Sequence, residues 1–177
     1  MRRRHVAVIG MMAVGKTTTA RAVAEQLGAR FVDVDDVIEA QTGRTVRELA
    51  DEGGEQGYRP LERAAVEAAL AAVDPVVLAT PGGVAVDAAM AAAVRSPGVT
   101  TVYLRAGLDT LARNVAAGAD RRPLLGDDPR AGLARLLDER AGRYEALADH
   151  VVDVDGRTPD EVVAAVLASL GLGAPPP

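Results

Sequence analysis

The chain has 177 residues, with 20 basic and 25 acidic side chains, a net charge of −5 and no cysteine. This length suits one domain with a sizeable core, and the acidic balance argues against a general nucleic-acid binder. The absence of cysteine excludes disulfides and thiolate metal sites, and it suits a cytoplasmic protein. No apolar run reaches transmembrane length, so we expect no membrane partner.

The N-terminus has two interpretations. Three arginines precede the apolar run "HVAVIG", and a secretory signal peptide begins in the same way. We favour a buried strand at 6–9, because the run leads directly into a helix predicted at 16–27 and offers no good cleavage context. Gly28 ends that helix at a position where glycine is preferred.

The rest of the chain alternates between short apolar runs and helical periodicity. The runs predict strands at 31–34, 76–79, 99–104 and 151–154. Periodicity and capping residues predict helices from Asp35 or Asp36 to about 41, at 45–51 up to Gly53-Gly54, from Pro60 to 72, and at 86–94, 108–117, 133–148 and 159–170. A polar loop is predicted at 119–130. Strands that alternate with helices predict one α/β domain with a parallel sheet covered on both faces.

The stretch "GMMAVGKTT" at 10–18 fits the pattern G-x-x-x-x-G-K-[ST] between a predicted strand and a predicted helix. Backbone N–H groups of such a loop and the helix N-terminus form a cradle for phosphate oxygens. Lys16 is expected to reach the β- and γ-phosphates, and the Thr17 hydroxyl to ligate Mg²⁺. The nucleotide is therefore expected to contact Met12, Ala13, Val14, Gly15, Lys16, Thr17 and Thr18.

Two further polar groups follow predicted strands, where ligands bind in open α/β sheets. Asp33 and Asp35 follow the second strand, and Gly82 and Gly83 follow the third. One carboxylate can hold Mg²⁺, for which we choose Asp33, and the other can orient or deprotonate a hydroxyl, for which we choose Asp35. The alternative is that the two acids only begin a helix.

Two arginines are candidate anion ligands. Arg140 follows Leu133 by seven residues and shares its apolar helix face, where an arginine either extends its charge to solvent or binds an anion in a cleft. Arg59 precedes Pro60, and its alternative role is a surface ion pair with Glu62 or Glu55.

Together these motifs resemble the shikimate kinase family over residues 5–155. The resemblance rests on the phosphate loop, the glycines after the third strand, and four further stretches: "FVDVD" (31–35), "GEQGYRPLE" (54–62), "RRPLL" (121–125) and "ERAGRY" (139–144). It implies a three-layer P-loop kinase fold of the nucleoside-monophosphate-kinase type, with a five-stranded parallel sheet in the order 2-3-1-4-5. The domain would span 1–171, with an acceptor region at about 33–62, a lid at about 118–130 and a disordered tail at 172–177.

The resemblance also implies an activity. A monomeric enzyme would use ATP and Mg²⁺ to phosphorylate a hydroxyl of shikimate, a step of aromatic amino acid biosynthesis. The residues implied to hold shikimate are Asp35, Arg59, Gly82, Gly83 and Arg140, with the arginines on its carboxylate. Arg122 would lie on the lid and reach the phosphates during transfer, and Arg113 and Arg157 would lie near adenine.

Two departures from the family pattern affect the choice of acceptor. Pro81 stands where the family has the first of three glycines, and Ala13-Val14 stand where it prefers glycine. Proline lacks an N–H and fixes φ, which stiffens the loop. A kinase for another hydroxylated acid, a sugar acid or a nucleoside is therefore the main alternative. A regulatory GTPase is disfavoured because the chain lacks N-K-x-D, and an inactive binding module because the chemical residues are present.

Overall fold

The computed structural model describes residues 5–118 and 125–172. Its strands are β1 (His5–Gly10), β2 (Arg30–Asp33), β3 (Val76–Ala79), β4 (Val99–Arg105) and β5 (His150–Asp153). All of the strand pairs are parallel, and the strands lie in the order β2-β3-β1-β4-β5. The predicted sheet and its strand order are therefore confirmed.

Helices connect the strands and pack on one another around the sheet. In the described ranges they are α1 (Lys16–Leu27), α2 (Val34–Thr42), α3 (Val46–Leu70), α4 (Ala88–Val94), α5 (Leu108–Ala117), α6 (Pro129–Leu147) and α7 (Pro159–Ser169), with a 3₁₀ turn at Gly82–Ala85. The helix α1 packs on α7, α3 on α4, and α5 on α6. None of the helices in these ranges is long and apolar enough to cross a membrane.

The core is aliphatic because the chain has few aromatic residues. The sheet centre is fully buried, with Ala7, Val8 and Ile9 of β1 flanked by Leu78 of β3 and Leu104 of β4. Such uninterrupted apolar strands are characteristic of parallel sheets covered on both faces.

The segment 45–72 differs from its prediction. Two helices were expected, with a stop at Gly53-Gly54, and the break does occur there: Gly54 has non-helical angles, with φ 58° and ψ −156°, so α3 consists of two helical halves that meet at a kink with no loop between them. Glycine adopts this backbone conformation at little steric cost, so the helix bends and then resumes at once. Pro60 consequently lies inside α3 and not at a helix start, and this prediction was wrong.

Three other boundaries differ because the capping residue was misassigned in one helix and not recognised in the other two. Asp33, and not Asp35 or Asp36, caps α2, with extended φ and ψ and a side chain that accepts from the Asp35 N–H. The helix predicted at 86–94 begins only after Asp87, which caps α4. The helix α6 begins four residues early, because Asp128 caps it and Pro129 occupies its first turn.

Candidate active site

The carboxyl ends of β1, β2 and β3 open onto one cavity of about 660 Å³. The parallel register aligns these ends, since Asp33 pairs with Ala79 and Ala79 pairs with Val8. The cavity is lined by residues of the phosphate loop, by acidic and basic side chains, and by residues of neighbouring elements. They include Met12, Ala13, Gly15, Lys16, Thr17 and Thr18 of the loop, the acids Asp33, Asp35 and Glu62, the cations Arg47, Arg59 and Arg140, and Tyr58, Pro81, Gly82, Gly83 and Asn114.

The phosphate loop joins β1 to α1. Gly15 adopts the left-handed conformation, with φ 98°, at the N-terminus of α1. The Lys16 ammonium donates to the carbonyl oxygens of Gly10 at 3.0 Å and Met11 at 2.9 Å, so its charge lies within the loop. Val14 is buried in the core and is not among the residues that line the cavity, so its contact with the nucleotide stays a prediction.

A hydroxyl and a carboxylate meet beside this loop. The Thr17 hydroxyl donates to Asp33 Oδ2 at 2.7 Å, while Asp33 Oδ1 accepts from the Asp35 N–H at 2.9 Å. The capping bond holds the Asp33 side chain in place, and the bond from Thr17 leaves that hydroxyl's lone pairs for a ligand. Hydroxyl and carboxylate oxygens are the ligands that Mg²⁺ prefers, so the pair fits a magnesium ion that also binds phosphate.

Arg59 projects from the second half of α3 and is 8% exposed. Its Nη1 donates to Glu62 at 2.6 Å and its Nη2 to Glu55 at 2.7 Å. Both ion pairs weighed as the alternative role for Arg59 are thus formed, and the pair with Glu62 is buried. The guanidinium also lies 5.2 Å from the Tyr58 ring and against Gly83.

Arg140 projects from α6 and is 4% exposed. Its Nη1 donates to the Gly82 carbonyl oxygen at 3.2 Å, and the Tyr144 hydroxyl donates to the same oxygen at 2.5 Å. The Nε of Arg140 is buried without a hydrogen-bond partner. This nitrogen lies 3.9 Å from Glu139 Oε1, and the guanidinium lines the cavity, so Arg140 is a candidate ligand for an anion there.

Burial raises the pKa of several groups at this site, among them Tyr58, Glu62 and Tyr144. Desolvation raises the pKa of Glu62 to about 7, and the positive charge of Arg59 and its hydrogen bond offset only part of that rise. Burial also raises the pKa of Tyr144, whose hydroxyl therefore remains a proton donor to Gly82 at neutral pH.

Other predicted site residues lie elsewhere. Arg113 and Arg157 are exposed and do not line the cavity, and their contact with adenine stays a prediction. Arg113 donates to Thr110 on its own helix, whereas its neighbour Asn114 faces the phosphate loop. Arg122 and residues 119–124 of the predicted lid lie outside the described residues.

Sequence reasoning missed three residues of this site. It treated Glu62 only as a surface partner, and it gave Asn114 and Tyr144 no role. The spacing of Tyr144 gave a signal, since it follows Arg140 by four residues and so shares its helix face. Nothing local in the sequence pairs Asn114 with a loop a hundred residues earlier.

A phosphate loop between β1 and α1, a sheet in the order 2-3-1-4-5, and a charged cavity at its carboxyl edge define a P-loop kinase of small molecules. The sequence model described as shikimate kinase matches residues 12–171. The chain is 42% identical to the shikimate kinase of Salinispora arenicola over 92% of its own length and 95% of that protein. It is 40% identical to the shikimate kinase of Streptomyces avermitilis over 95% of its own length and 96% of that protein. The chain belongs to the shikimate kinase family.

Solved structures agree with this assignment. The shikimate kinase of Acinetobacter baumannii, in complex with shikimate, superposes with a TM-score of 0.87 at 26% identity, covering 94% of this chain and 92% of that one. A gluconokinase from Sinorhizobium meliloti superposes with a TM-score of 0.66 at 20% identity, covering 96% of this chain and 93% of that one, and shares the fold.

Proposed function

We propose that this chain transfers the γ-phosphoryl group of ATP in line to a hydroxyl of shikimate, within the cavity at the carboxyl edge of the sheet. As a shikimate kinase family member it is an ATP-dependent small-molecule kinase. One observation carries the choice of acceptor: Arg59 and Arg140 meet at the glycine pair Gly82-Gly83, in the same cavity as the phosphate loop. Two guanidinium groups beside the same glycine pair can both donate hydrogen bonds to one carboxylate.

On the nucleotide side, the backbone of residues 12–18 would hold the phosphates, with Lys16 on the transferred group. Thr17 and Asp33 would hold Mg²⁺, which neutralises phosphate charge when it is bound. The bond between these two side chains supports that assignment, because it orients both before the ion arrives. No cluster of three or more acidic, histidine or cysteine side chains occurs in the described residues, and Mg²⁺ bound with a nucleotide needs only one or two protein ligands.

On the acceptor side, Asp35 would orient the reacting hydroxyl and accept its proton. The backbone N–H groups of Gly82 and Gly83 would donate to the acceptor, and Arg59 and Arg140 would hold its carboxylate. The position of Arg140 in the lining of the cavity supports this role, because an anion bound there would lie beside its guanidinium. Pro81 contributes no N–H to the loop, so we expect that loop to make fewer contacts than its family pattern allows.

The remaining assignments follow the family pattern. We propose that Arg122 reaches the phosphates when a lid at about 118–130 closes, that Arg113 and Arg157 lie near adenine, and that 1–171 form one domain. We further propose a cytoplasmic monomer that binds no nucleic acid, and gel filtration tests the monomer.

A coupled assay of ADP release with shikimate, quinate, gluconate and nucleosides tests the acceptor. We expect shikimate to give the highest kcat/KM and activity to disappear when Mg²⁺ is chelated. A preference for gluconate or a nucleoside would overturn the shikimate assignment and favour a kinase for another hydroxylated compound.

A further inference from the structure

Ala13 has an unusual backbone conformation. Its φ is 61°, and it is the only residue other than glycine with a positive φ in 5–118 and 125–172. This left-handed region brings Cβ too close to the neighbouring carbonyl oxygen, so alanine occupies it only when its surroundings hold it there. The loop itself holds Ala13 weakly, since the Val14 N–H reaches the Met11 carbonyl only at 3.4 Å.

A side chain from a distant helix supplies such a constraint. Asn114 Nδ2, on α5, donates to the Ala13 carbonyl oxygen at 2.8 Å. A carbonyl oxygen can only accept, so the bond also fixes which end of the Asn114 amide faces the loop. Leu111, one turn earlier on α5, is fully buried, so the helix that presents Asn114 is anchored in the core.

We propose that Asn114 is a positioning residue for nucleotide binding, which acts by holding Ala13 in the left-handed conformation. Gly15, Lys16 and Thr17, which follow at the N-terminus of α1, line the cavity, and their N–H groups would bind phosphate oxygens there. A glycine at this position would adopt the conformation without steric cost. In this chain the Asn114 bond therefore stabilises the left-handed conformation that a glycine would adopt without help in a glycine-rich loop.

The inference rests on the proposed binding of ATP at this loop, and calorimetric titration with Mg·ADP tests both. Asn114→Ala should weaken ADP binding about fivefold, the factor that the loss of one ordinary hydrogen bond produces. The KM for shikimate should change less than that for ATP. In an Ala13→Gly background the same substitution should cost less than about twofold, because glycine does not need the bond.

Ser96→Ala is the matched control, since its hydroxyl likewise donates to a backbone carbonyl, that of Ala93, but lies just before β4, at the amino edge of the sheet and away from the phosphate loop. It should leave ADP affinity unchanged. Equal losses in the wild-type and Ala13→Gly backgrounds, or a lower melting temperature with unchanged ADP affinity, would overturn the inference alone. Failure of the wild-type chain to bind ADP would overturn the proposed function and the inference together.

Discussion

The guanidinium of Arg59 lies so close to the Cα of Gly83 that a Cβ at position 83 would overlap Nη1. Arg59 is 8% exposed and bonded to Glu62 and Glu55, so it cannot move aside without breaking ion pairs. The glycine is therefore required by a side chain from another helix, and not by its own backbone angles.

Gly83→Ala should displace Arg59 and weaken shikimate binding by at least about tenfold, since charge-assisted hydrogen bonds each contribute roughly 1.5–3 kcal/mol. Gly82→Ala is the matched comparison, because a Cβ there meets its nearest neighbours at 3.7 Å or more and fits. Titration calorimetry with shikimate measures both variants. If Gly82→Ala weakened binding as much as Gly83→Ala, the close approach of Arg59 would not explain the loss.

Lys16 is the only lysine of the chain, and its ammonium lies inside the phosphate loop. Lys16→Ala should lower kcat by at least about a hundredfold, because it removes a charge that stabilises the transferring group in the transition state. Circular dichroism and urea unfolding should show an intact fold. Near-wild-type turnover by a folded variant would contradict the kinase mechanism.

Substitutions of the two cavity arginines should distinguish acceptors that carry a carboxylate from acceptors that do not. Arg59→Lys and Arg140→Lys should each weaken shikimate binding strongly and change ATP affinity little, because lysine cannot reproduce the planar fork that matches a carboxylate. Arg63→Lys is the control, since Arg63 lies one turn further along α3 and pairs with Asp87 instead. Unchanged shikimate affinity in both cavity variants would mean that the carboxylate is bound elsewhere.

Tyr144 shares the Gly82 carbonyl with Arg140. Tyr144→Phe should raise the KM for shikimate several-fold and leave the KM for ATP nearly unchanged, because it removes one of the two donors that fix this carbonyl. Tyr103→Phe removes the same atom from the ring stacked at 5.2 Å on Tyr144, without touching Gly82. Steady-state kinetics should therefore distinguish the two variants, and an equal rise in both would indicate a general packing defect.

Glu62 should make stability depend on pH. Burial raises its pKa from 4.5 to about 7, so the folded state holds this proton more tightly than the unfolded chain. The resulting stabilisation is complete below about pH 4.5 and is lost as the pH rises through 7, a change of about 3 kcal/mol at most.

Glu62→Gln has no proton to lose, so its unfolding free energy should fall less over that pH range. Urea unfolding at several pH values measures the difference. Glu55→Gln, which removes the exposed partner of Arg59, is the control. Parallel pH profiles for wild type and Glu62→Gln would contradict the raised pKa.

Local patterns in the sequence predicted much of this protein. The phosphate loop between β1 and α1, the bounds of α1 and α5, and the position of Arg140 on the apolar face of its helix were all confirmed. Each depends on residues within one or two turns of one another, or on a motif whose spacing the chemistry of phosphate binding restricts.

Tertiary structure decided the rest. Only the structure shows that the helix resumes directly after Gly54 and so includes Pro60, and that Gly83 makes room for Arg59. The same holds for Asn114, whose partner Ala13 lies 101 positions earlier in the chain. Contacts of this kind depend on how helices and strands approach one another in space, and no residue's immediate neighbours in the sequence encode that approach.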